Sequence, residues 1–326
     1  MTLKVTTDED LLRMYFLQMY GFLTITQAAR VSGNSYNWTR ERLIRMQREK
    51  LVKWFGEVSY GRGNRAPKVY YLTELGYQKL LEDGGYTVDD VGPFKMRNSP
   101  DWTTQTWHRI YLISCFLSLE IEIGKHPHLF LENVRLSYRL DGEQTNKYGN
   151  PIYETTDWIT VEGGESLTPD GSFIIYDEIR DERELFFLEF DRKKETIYSR
   201  KSSKNHTLDY KFRKYESYLA MEEGGHLIPG NFTKKYSEFG NFDSFKVLFV
   251  TLSEQRLGNV ISQASTLPAD LHDYFLFSTA KLRFPTPIGS KIVTAKHNAP
   301  DLEIDMLGLV WRTRSGDNRR VQMLEF

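Results

Sequence analysis

Two hydrophobic segments separated by a short charged segment place the strongest constraint on the fold. Residues 171–176 (GSFIIY) and 184–191 (ELFFLEFD) are rich in the β-branched and aromatic side chains that favour strands. The polar residues 177–183 between them are typical of a turn, so the sequence predicts an antiparallel β-hairpin.

Three carboxylates are expected to converge at one end of this hairpin. Asp170 precedes the first strand, and side chains alternate along the second, which places Glu189 and Asp191 on one face. Acidic side chains that project together from hydrophobic strands repel one another and lose hydration, so a hard cation such as Mg²⁺ or Mn²⁺ would stabilise them. The sequence therefore predicts a divalent-metal site suited to phosphodiester hydrolysis. The alternative is an ordinary turn followed by a solvated strand edge.

A run of positive charge follows these carboxylates. Residues 192–214 contain nine Lys/Arg and two acidic residues, a net excess of +7. An acidic pocket beside basic residues suits a polyanionic substrate. The helix predicted at 209–219 carries two lysines, each with a tyrosine four residues later: Lys211 with Tyr215, and Lys214 with Tyr218.

The N-terminal sequence predicts a winged helix-turn-helix. Helices are predicted at 8–20, from the capping box Thr24-Ile-Thr-Gln27 onward, and at 35–49. Strands predicted at 51–55 and 68–72, joined by a Gly/Arg/Asn loop, would form the wing. In the third helix the apolar positions are Trp38, Leu43, Ile44 and Met46.

Positive charge concentrates on that third helix and the wing. Residues 40–68 contain nine Lys/Arg and three Glu, a net +6, although the whole chain carries a net charge of −1. With the helix in the major groove and the wing against the backbone or minor groove, this distribution predicts binding to double-stranded DNA. The alternative is a winged helix that makes protein contacts or a dimer. The DNA-binding candidates are Arg40, Arg42, Arg45, Arg48, Arg62, Arg65 and Lys68.

Asp170 followed by Glu189-x-Asp191-Arg192 resembles the PD-(D/E)xK nuclease-like core in the form carried by the replication-relaxation family, which includes plasmid-mobilisation relaxases of the MOBC type. The resemblance implies a metal-dependent nuclease fold in which these three carboxylates bind Mg²⁺ or Mn²⁺. The chain departs from the superfamily pattern at Asp191, where a lysine is usual. A lysine supplied from elsewhere and a loss of catalysis are both compatible with this departure.

The predicted helix after the core is also similar to the family. Lys211-x-x-x-Tyr215 and Lys214-x-x-x-Tyr218 resemble the basic or amide residue plus tyrosine of RecB-like relatives. Lys193, Lys211 or Lys214 would then stabilise the developing phosphate charge. Tyr215 and Tyr218 are candidates for a covalent nucleophile, but metal-activated water or simple packing of the rings is favoured.

The chain of 326 residues exceeds one ordinary domain, and the expected fold class is α/β (α+β) with two domains. Residues 1–82 would form the winged helix-turn-helix, and residues 83–103, with several Gly and Pro, a linker. Residues 104–326 would form the mixed-sheet PD-(D/E)xK restriction-endonuclease-like domain. It would begin with a long helix at 104–123 and include a strand, helix and strand over 245–278.

Several classes of protein are disfavoured. The single cysteine, Cys115, excludes an intramolecular disulfide, and the acidic N-terminus and lack of a membrane-length apolar run lead us to expect a cytoplasmic protein without membrane insertion. The absence of a Walker lysine loop argues against ATP hydrolysis.

Two functions remain. The first is a metal-dependent DNA nickase or relaxase that acts on an origin of plasmid or integrative-element mobilisation or replication, with other relaxosome or transfer proteins as further partners. The second is a non-catalytic winged-helix regulator of replication or transcription with a degenerate nuclease fold.

Overall fold

The computed structural model divides the chain into two compact units, Met1–Leu117 with Leu282–Glu303, and Ser118–Lys281 with Ile304–Phe326. It describes residues 6–55, 59–60, 64–65, 68–94, 104–146, 148–158, 166–191, 207–223, 226–229, 232–264, 274–283, 301–303 and 306.

The first unit alternates short helices with an antiparallel sheet. Its helices are α1 (Asp8–Tyr20), α2 (Ile25–Val31), α3 (Tyr36–Arg48), α4 (Glu74–Gly84) and α5 (Val88–Val91). Its strands are β1 (Leu23–Thr24), β2 (Val52–Phe55), β3 (Ser59–Tyr60), β4 (Asn64–Arg65) and β5 (Val69–Leu72). Strands in the order β1-β5-β2 form a three-stranded antiparallel sheet. Strands β3 and β4, which lie between β2 and β5 along the chain, pair with each other.

Polar side chains start each of the main helices of this unit. Thr7, Ser35 and Thr73 accept a hydrogen bond from a backbone N–H in the first turn of α1, α3 and α4 respectively. The predicted capping box of α2 is confirmed, because Thr24 and Gln27 each bond the other's backbone N–H. For α1, α2 and α3 the observed helix starts lie within one residue of the predictions.

Part of the region predicted to be a linker packs on this unit instead. Helix α5 buries Val91, and Gln18 of α1 donates a hydrogen bond to the Val91 carbonyl at 3.2 Å. The Tyr77 hydroxyl bonds the Gly92 carbonyl at 2.8 Å. The Gly and Pro content of this region did not indicate these partly buried hydrogen bonds.

The next elements continue the chain into the second unit. The helices are α6 (Thr104–Ile123), which crosses the boundary after Leu117, α7 (Leu208–Leu219), α8 (Phe232–Tyr236) and α9 (Glu254–Ala264). The strands are β6 (Leu129–Leu136), β7 (Leu140–Thr145), β8 (Pro151–Tyr153), β9 (Asp157–Trp158), β10 (Ser166–Leu167), β11 (Gly171–Asp177), β12 (Glu182–Asp191), β13 (Ala220–Glu223), β14 (His226–Pro229), β15 (Lys246–Thr251), β16 (Phe275–Thr279), β17 (Lys281–Arg283) and β18 (Asp301–Glu303).

A five-stranded mixed sheet with the order β16-β15-β12-β11-β6 forms the centre of the second unit. Strands β6, β11 and β12 are antiparallel, whereas β12, β15 and β16 are parallel. The hairpin, the helices predicted at 104–123 and 209–219, and the strand, helix and strand predicted over 245–278 are confirmed, whereas β6 was not predicted. The small sheets β7–β8, β9–β10 and β13–β14, and helix α8, were not predicted.

Helix α7 covers one face of this sheet with aromatic side chains. Phe212 lies 4.8 Å from Phe249 of β15, and Tyr215 lies 5.9 Å from Phe187 of β12, between ring centroids. This packing buries the odd-numbered face of β12, on which the carboxylates were predicted. Among the helices in the described part of the chain, none has the length and apolar character needed to cross a membrane.

Candidate active site and nucleic-acid interface

The β11–β12 hairpin places Asp170 beside Glu189. Gly171 pairs with Leu188 in the antiparallel register, so the residues just beyond this pair face each other at the strand ends. The Phe190 N–H donates a hydrogen bond of 2.8 Å to Asp170 Oδ2, which holds this carboxylate against β12.

Glu189 is the central residue of the candidate site and is 1% exposed. The Tyr215 hydroxyl donates to its Oε1 at 2.5 Å, and Lys211 Nζ lies 2.5 Å from its Oε2. Burial raises the pKa of Glu189 to about 8; the Lys211 charge opposes this rise and the nearby Asp170 charge adds to it. With this pKa the carboxyl holds a proton near neutral pH even with Lys211 in contact.

Lys211 is one of the candidate lysines and forms an ion pair with Glu189. It comes from the first turn of α7, and its side chain is 22% exposed, so its ammonium group reaches both the buried glutamate and the protein surface. Lys214, one turn later, instead donates to the Ser166 carbonyl at 2.8 Å and lies 4.4 Å from the centre of the Tyr210 ring. Lys193 lies outside the described residues.

Asp191 departs from the prediction that three carboxylates converge. The Arg256 guanidinium from α9 forms a buried ion pair with Asp191, which is 5% exposed. This pair neutralises the Asp191 charge without a metal. No local pattern indicated it, because the two residues are 65 positions apart.

The remaining carboxylates fit a divalent cation of limited coordination. The described residues contain no group of three or more His, Cys, Asp or Glu side chains that could hold a metal ion. Mg²⁺ is commonly bound through one or two carboxylates, with water and substrate phosphate as its other ligands. The buried Glu189 beside Asp170 matches that donor set.

Tyr215 and Tyr218 are both buried, with their rings 5.9 Å from Phe187. Burial raises the pKa of each phenol, and the Glu189 charge raises that of Tyr215 further. The Tyr218 hydroxyl donates to Asp157 Oδ2 at 2.7 Å. Both tyrosines therefore serve as hydrogen-bond donors to carboxylates, a geometry that supports the packing alternative over a covalent nucleophile.

Asp157 is a second buried carboxylate with a tyrosine and a lysine as partners, and the sequence did not suggest it. Lys235 from α8 forms an ion pair with Asp157, and its Nζ donates to the Thr156 carbonyl at 3.0 Å. Burial, together with the charge of Arg135, lowers the pKa of Lys235 to about 7. Asp157 lies in a two-residue strand without a periodic pattern, so no sequence signal pointed to it.

In the first unit, α3 presents a less uniform charge than predicted. Arg40 and Arg48 are exposed, whereas Arg45 pairs with Glu49 at 3.1 Å within the helix. Trp38 was assigned to the apolar face but is 41% exposed, and Thr39 is fully buried in its place. The error arose because Thr39, not Trp38, is in phase with Leu43 and Met46 along the helix.

Arg42 is turned into the fold, contrary to the expectation that it faces DNA. Its Nε donates to both carboxylate oxygens of Asp10 at 2.8 Å, and its side chain is 13% exposed. The fully buried Arg13 donates to the same carboxylate at 3.1 Å and to Ser32 Oγ at 2.8 Å. Asp10 thereby ties α3 to α1, since two arginines share its charge.

The wing carries part of the predicted interface. Lys68 Nζ lies 4.2 Å from the ring of Trp54, a cation–π contact between β2 and the residue before β5. Arg65 ends the short strand β4, and Arg62 lies outside the described residues.

Comparison with known proteins gives one structural and one family similarity. The crystal structure of a MarR family transcriptional regulator from Silicibacter pomeroyi DSS aligns over 37% of this chain and 72% of that chain, at 22% identity. Its TM-score of 0.22 is too low to support an argument. No curated protein matches the sequence significantly. The family model described as replication-relaxation matches residues 14–228, more than half of the chain. As its carboxylate and helix motifs predicted, the chain belongs to the replication-relaxation family.

Proposed function

We propose that this protein is a DNA-binding component of plasmid or integrative-element mobilisation or replication, and that it nicks DNA at an origin with the help of a divalent metal. Family membership supports a role in replication or mobilisation on DNA. The observation that carries the nuclease proposal is the contact of Lys211 with the buried Glu189.

The first unit would deliver the protein to duplex DNA as a winged helix-turn-helix. Three helices followed by a β-hairpin match that motif, with α3 as the recognition helix and β2–β5 as the wing. The exposed arginines of α3 and the lysine at the wing base supply positive charge for phosphate contacts.

The second unit would supply a PD-(D/E)xK-like site. A mixed sheet carries Asp170 and Glu189 at adjacent strand ends, and Lys211 replaces the usual strand lysine from the neighbouring helix. This arrangement preserves the charges of the motif, two carboxylates and one ammonium, although the lysine comes from another element.

Each residue then has a definite task. Asp170 and Glu189 would hold Mg²⁺ or Mn²⁺, which when bound lowers the pKa of coordinated water and neutralises phosphate charge. Tyr215 fixes the Glu189 carboxylate by donating to Oε1, which leaves Oε2 towards Lys211. Lys211 would stabilise the charge that develops on the phosphate once metal binding releases it from Glu189.

A second candidate function is a DNA-binding regulator whose nuclease fold is inactive. The Asp191–Arg256 pair favours it, because that carboxylate is neutralised by protein alone.

Nicking of supercoiled plasmid that carries the cognate origin, with Mg²⁺ or Mn²⁺ present, separates the two. We expect Lys211→Met to reduce the nicking rate roughly 100-fold, as loss of a charge-stabilising donor does elsewhere. Lys246→Met is the matched control, since Lys246 forms a similar pair with Glu184 on the opposite face of β12. Metal-dependent nicking that Lys211→Met retains would overturn the role of Lys211. An absence of nicking by the wild type, with duplex binding intact, would favour the regulator.

The nucleophile is tested by running the nicked product on a denaturing gel with a radiolabelled origin strand. We expect free nicked DNA, because both candidate tyrosines are buried with a raised pKa. A protein–DNA adduct that disappears in Tyr215→Phe or Tyr218→Phe would overturn the assignment of water as nucleophile.

A further inference from the structure

One face of α3 carries a stripe of four side chains that do not pack into the core of the first unit. Asn37, Glu41 and Arg48 are exposed and Ile44 is partly exposed, and their spacing of three or four residues places them on one side of the helix. The opposite side holds the buried Thr39, Leu43 and Met46, so the stripe points away from the core of its unit.

The chemistry of this stripe is mixed, which distinguishes it from a surface that binds only phosphates. An amide, a carboxylate, an aliphatic group and a guanidinium follow one another along about three turns of helix. Glu41 is exposed and forms no ion pair among the described residues. On a helix that faces DNA, phosphates repel an exposed carboxylate unless it meets a hydrogen-bond donor. In the major groove the amino group of cytosine is such a donor.

We propose that Asn37 and Glu41 determine the sequence that this protein recognises, with Asn37 bonding adenine and Glu41 bonding cytosine in the major groove. This inference rests on the proposed binding of duplex DNA by α3. An asparagine amide matches the N6 and N7 positions of adenine, and a glutamate accepts from the N4 amino group of cytosine. The preferred site therefore contains an adenine and a cytosine at a fixed short spacing.

The spacing of the two residues suits base pairs about two steps apart. Four residues of α-helix advance about 6 Å, and successive base pairs are about 3.4 Å apart. Asn37 also lies in the first turn of α3, two residues after the Ser35 cap, and base contacts of recognition helices come from this end.

The rest of α3 holds this stripe in a fixed orientation. The Asp10–Arg42 ion pair fixes one flank of the helix to α1. Next to it, the Arg13 guanidinium lies 4.8 Å from the centre of the Trp38 ring, which restrains the first turn. Because these groups are arranged before DNA binds, less ordering is required on binding, and discrimination between bases is sharper.

Selection from a random duplex library by the full-length protein, followed by affinity measurements on the selected site, tests the proposal. We expect Asn37→Ala to reduce discrimination at the adenine position and Glu41→Ala at the cytosine position, each about tenfold or more, with the other position unchanged. Gln47→Ala is the matched control, because Gln47 is an exposed amide on α3 outside the stripe.

Arg48→Ala gives the contrasting behaviour of a phosphate contact. It should weaken binding to all sequences alike and make the salt dependence shallower by about one charge. If the wild type selects a site whose preference Asn37→Ala and Glu41→Ala leave intact, the base assignment is overturned while DNA binding by the first unit stands. If the wild type binds no duplex at all, the proposed function fails together with this inference.

Discussion

Replacing Glu189 with glutamine should change how the stability of the protein depends on pH. The native pKa of about 8 lies above the ordinary value of 4.5, so between these values the folded protein holds a proton that the unfolded chain has lost. The resulting stabilisation is fully present below about pH 4.5, declines as pH rises, and is lost above about pH 8. Glutamine stays neutral throughout and has no such dependence.

The size of the effect follows from the two pKa values. Their separation corresponds to about 5 kcal/mol at 25 °C, because each pKa unit contributes about 1.4 kcal/mol. Glu189 is 1% exposed, so solvent screening does not reduce this figure. For a unit of this size it corresponds to a shift of roughly 10–20 °C in the melting temperature.

Thermal unfolding followed by circular dichroism from about pH 5 to about pH 9 measures the effect. The melting temperature of Glu189→Gln should approach that of the wild type at acidic pH and exceed it at alkaline pH. Glu132→Gln serves as the control, because the Glu132–Arg183 pair at 2.9 Å is about one-third exposed and should contribute less than about 1 kcal/mol. Parallel curves for wild type and Glu189→Gln would show that the buried carboxyl does not hold a proton near neutral pH.

Three further outcomes are expected. Binding of Mn²⁺ by the Asp170–Glu189 pair, measured by calorimetry, should tighten about tenfold from pH 6.5 to pH 7.5, because the metal displaces the proton that Glu189 holds below about pH 8; a pH-independent affinity would contradict this. Asp10→Asn should lower the unfolding free energy by about 3–5 kcal/mol, since it leaves two arginines around a neutral group, and a loss below about 1 kcal/mol in urea unfolding would refute the role of this ion pair. Gly76→Ala should destabilise the first unit because the added Cβ meets the backbone carbonyl of Leu51, the residue before β2. Gly258→Ala, with open space around its Cβ in α9, should instead stabilise by about 1 kcal/mol, and equal melting temperatures for the two variants would refute the contact at Gly76.

Local patterns predicted the elements well because the signals are themselves local. The capping box at Thr24 fixes the start of α2 through bonds between residues three apart, and the apolar segments of β11 and β12 meet across a short turn. These contacts need no information about distant parts of the chain. The prediction of the mixed α/β class and of the family was confirmed on the same basis.

The partners of buried charges were not predictable, because they are decided by tertiary packing. Asp191 and Arg256 belong to different elements, and the residues next to each in the sequence do not show that its charge is buried. Arg42 lies in a helix with four arginines, and only the position of Asp10 on α1 shows which of them turns inward. Lys211 was one of three candidate lysines. The rotation of α7 against the sheet brings its ammonium group to Glu189, which no local pattern shows.

Helix α7 explains why two tyrosines that resemble nucleophiles in the sequence act otherwise in the structure. Tyr215 and Tyr218 lie three residues apart, so both rings point from one side of the helix towards Phe187. At that depth each hydroxyl requires a hydrogen-bond acceptor, and Glu189 and Asp157 provide one each. Ionising either phenol would place a second negative charge against a buried carboxylate, which the low local dielectric penalises. The positions that the helix assigns to these tyrosines therefore favour orientation of the carboxylates over a role as nucleophile.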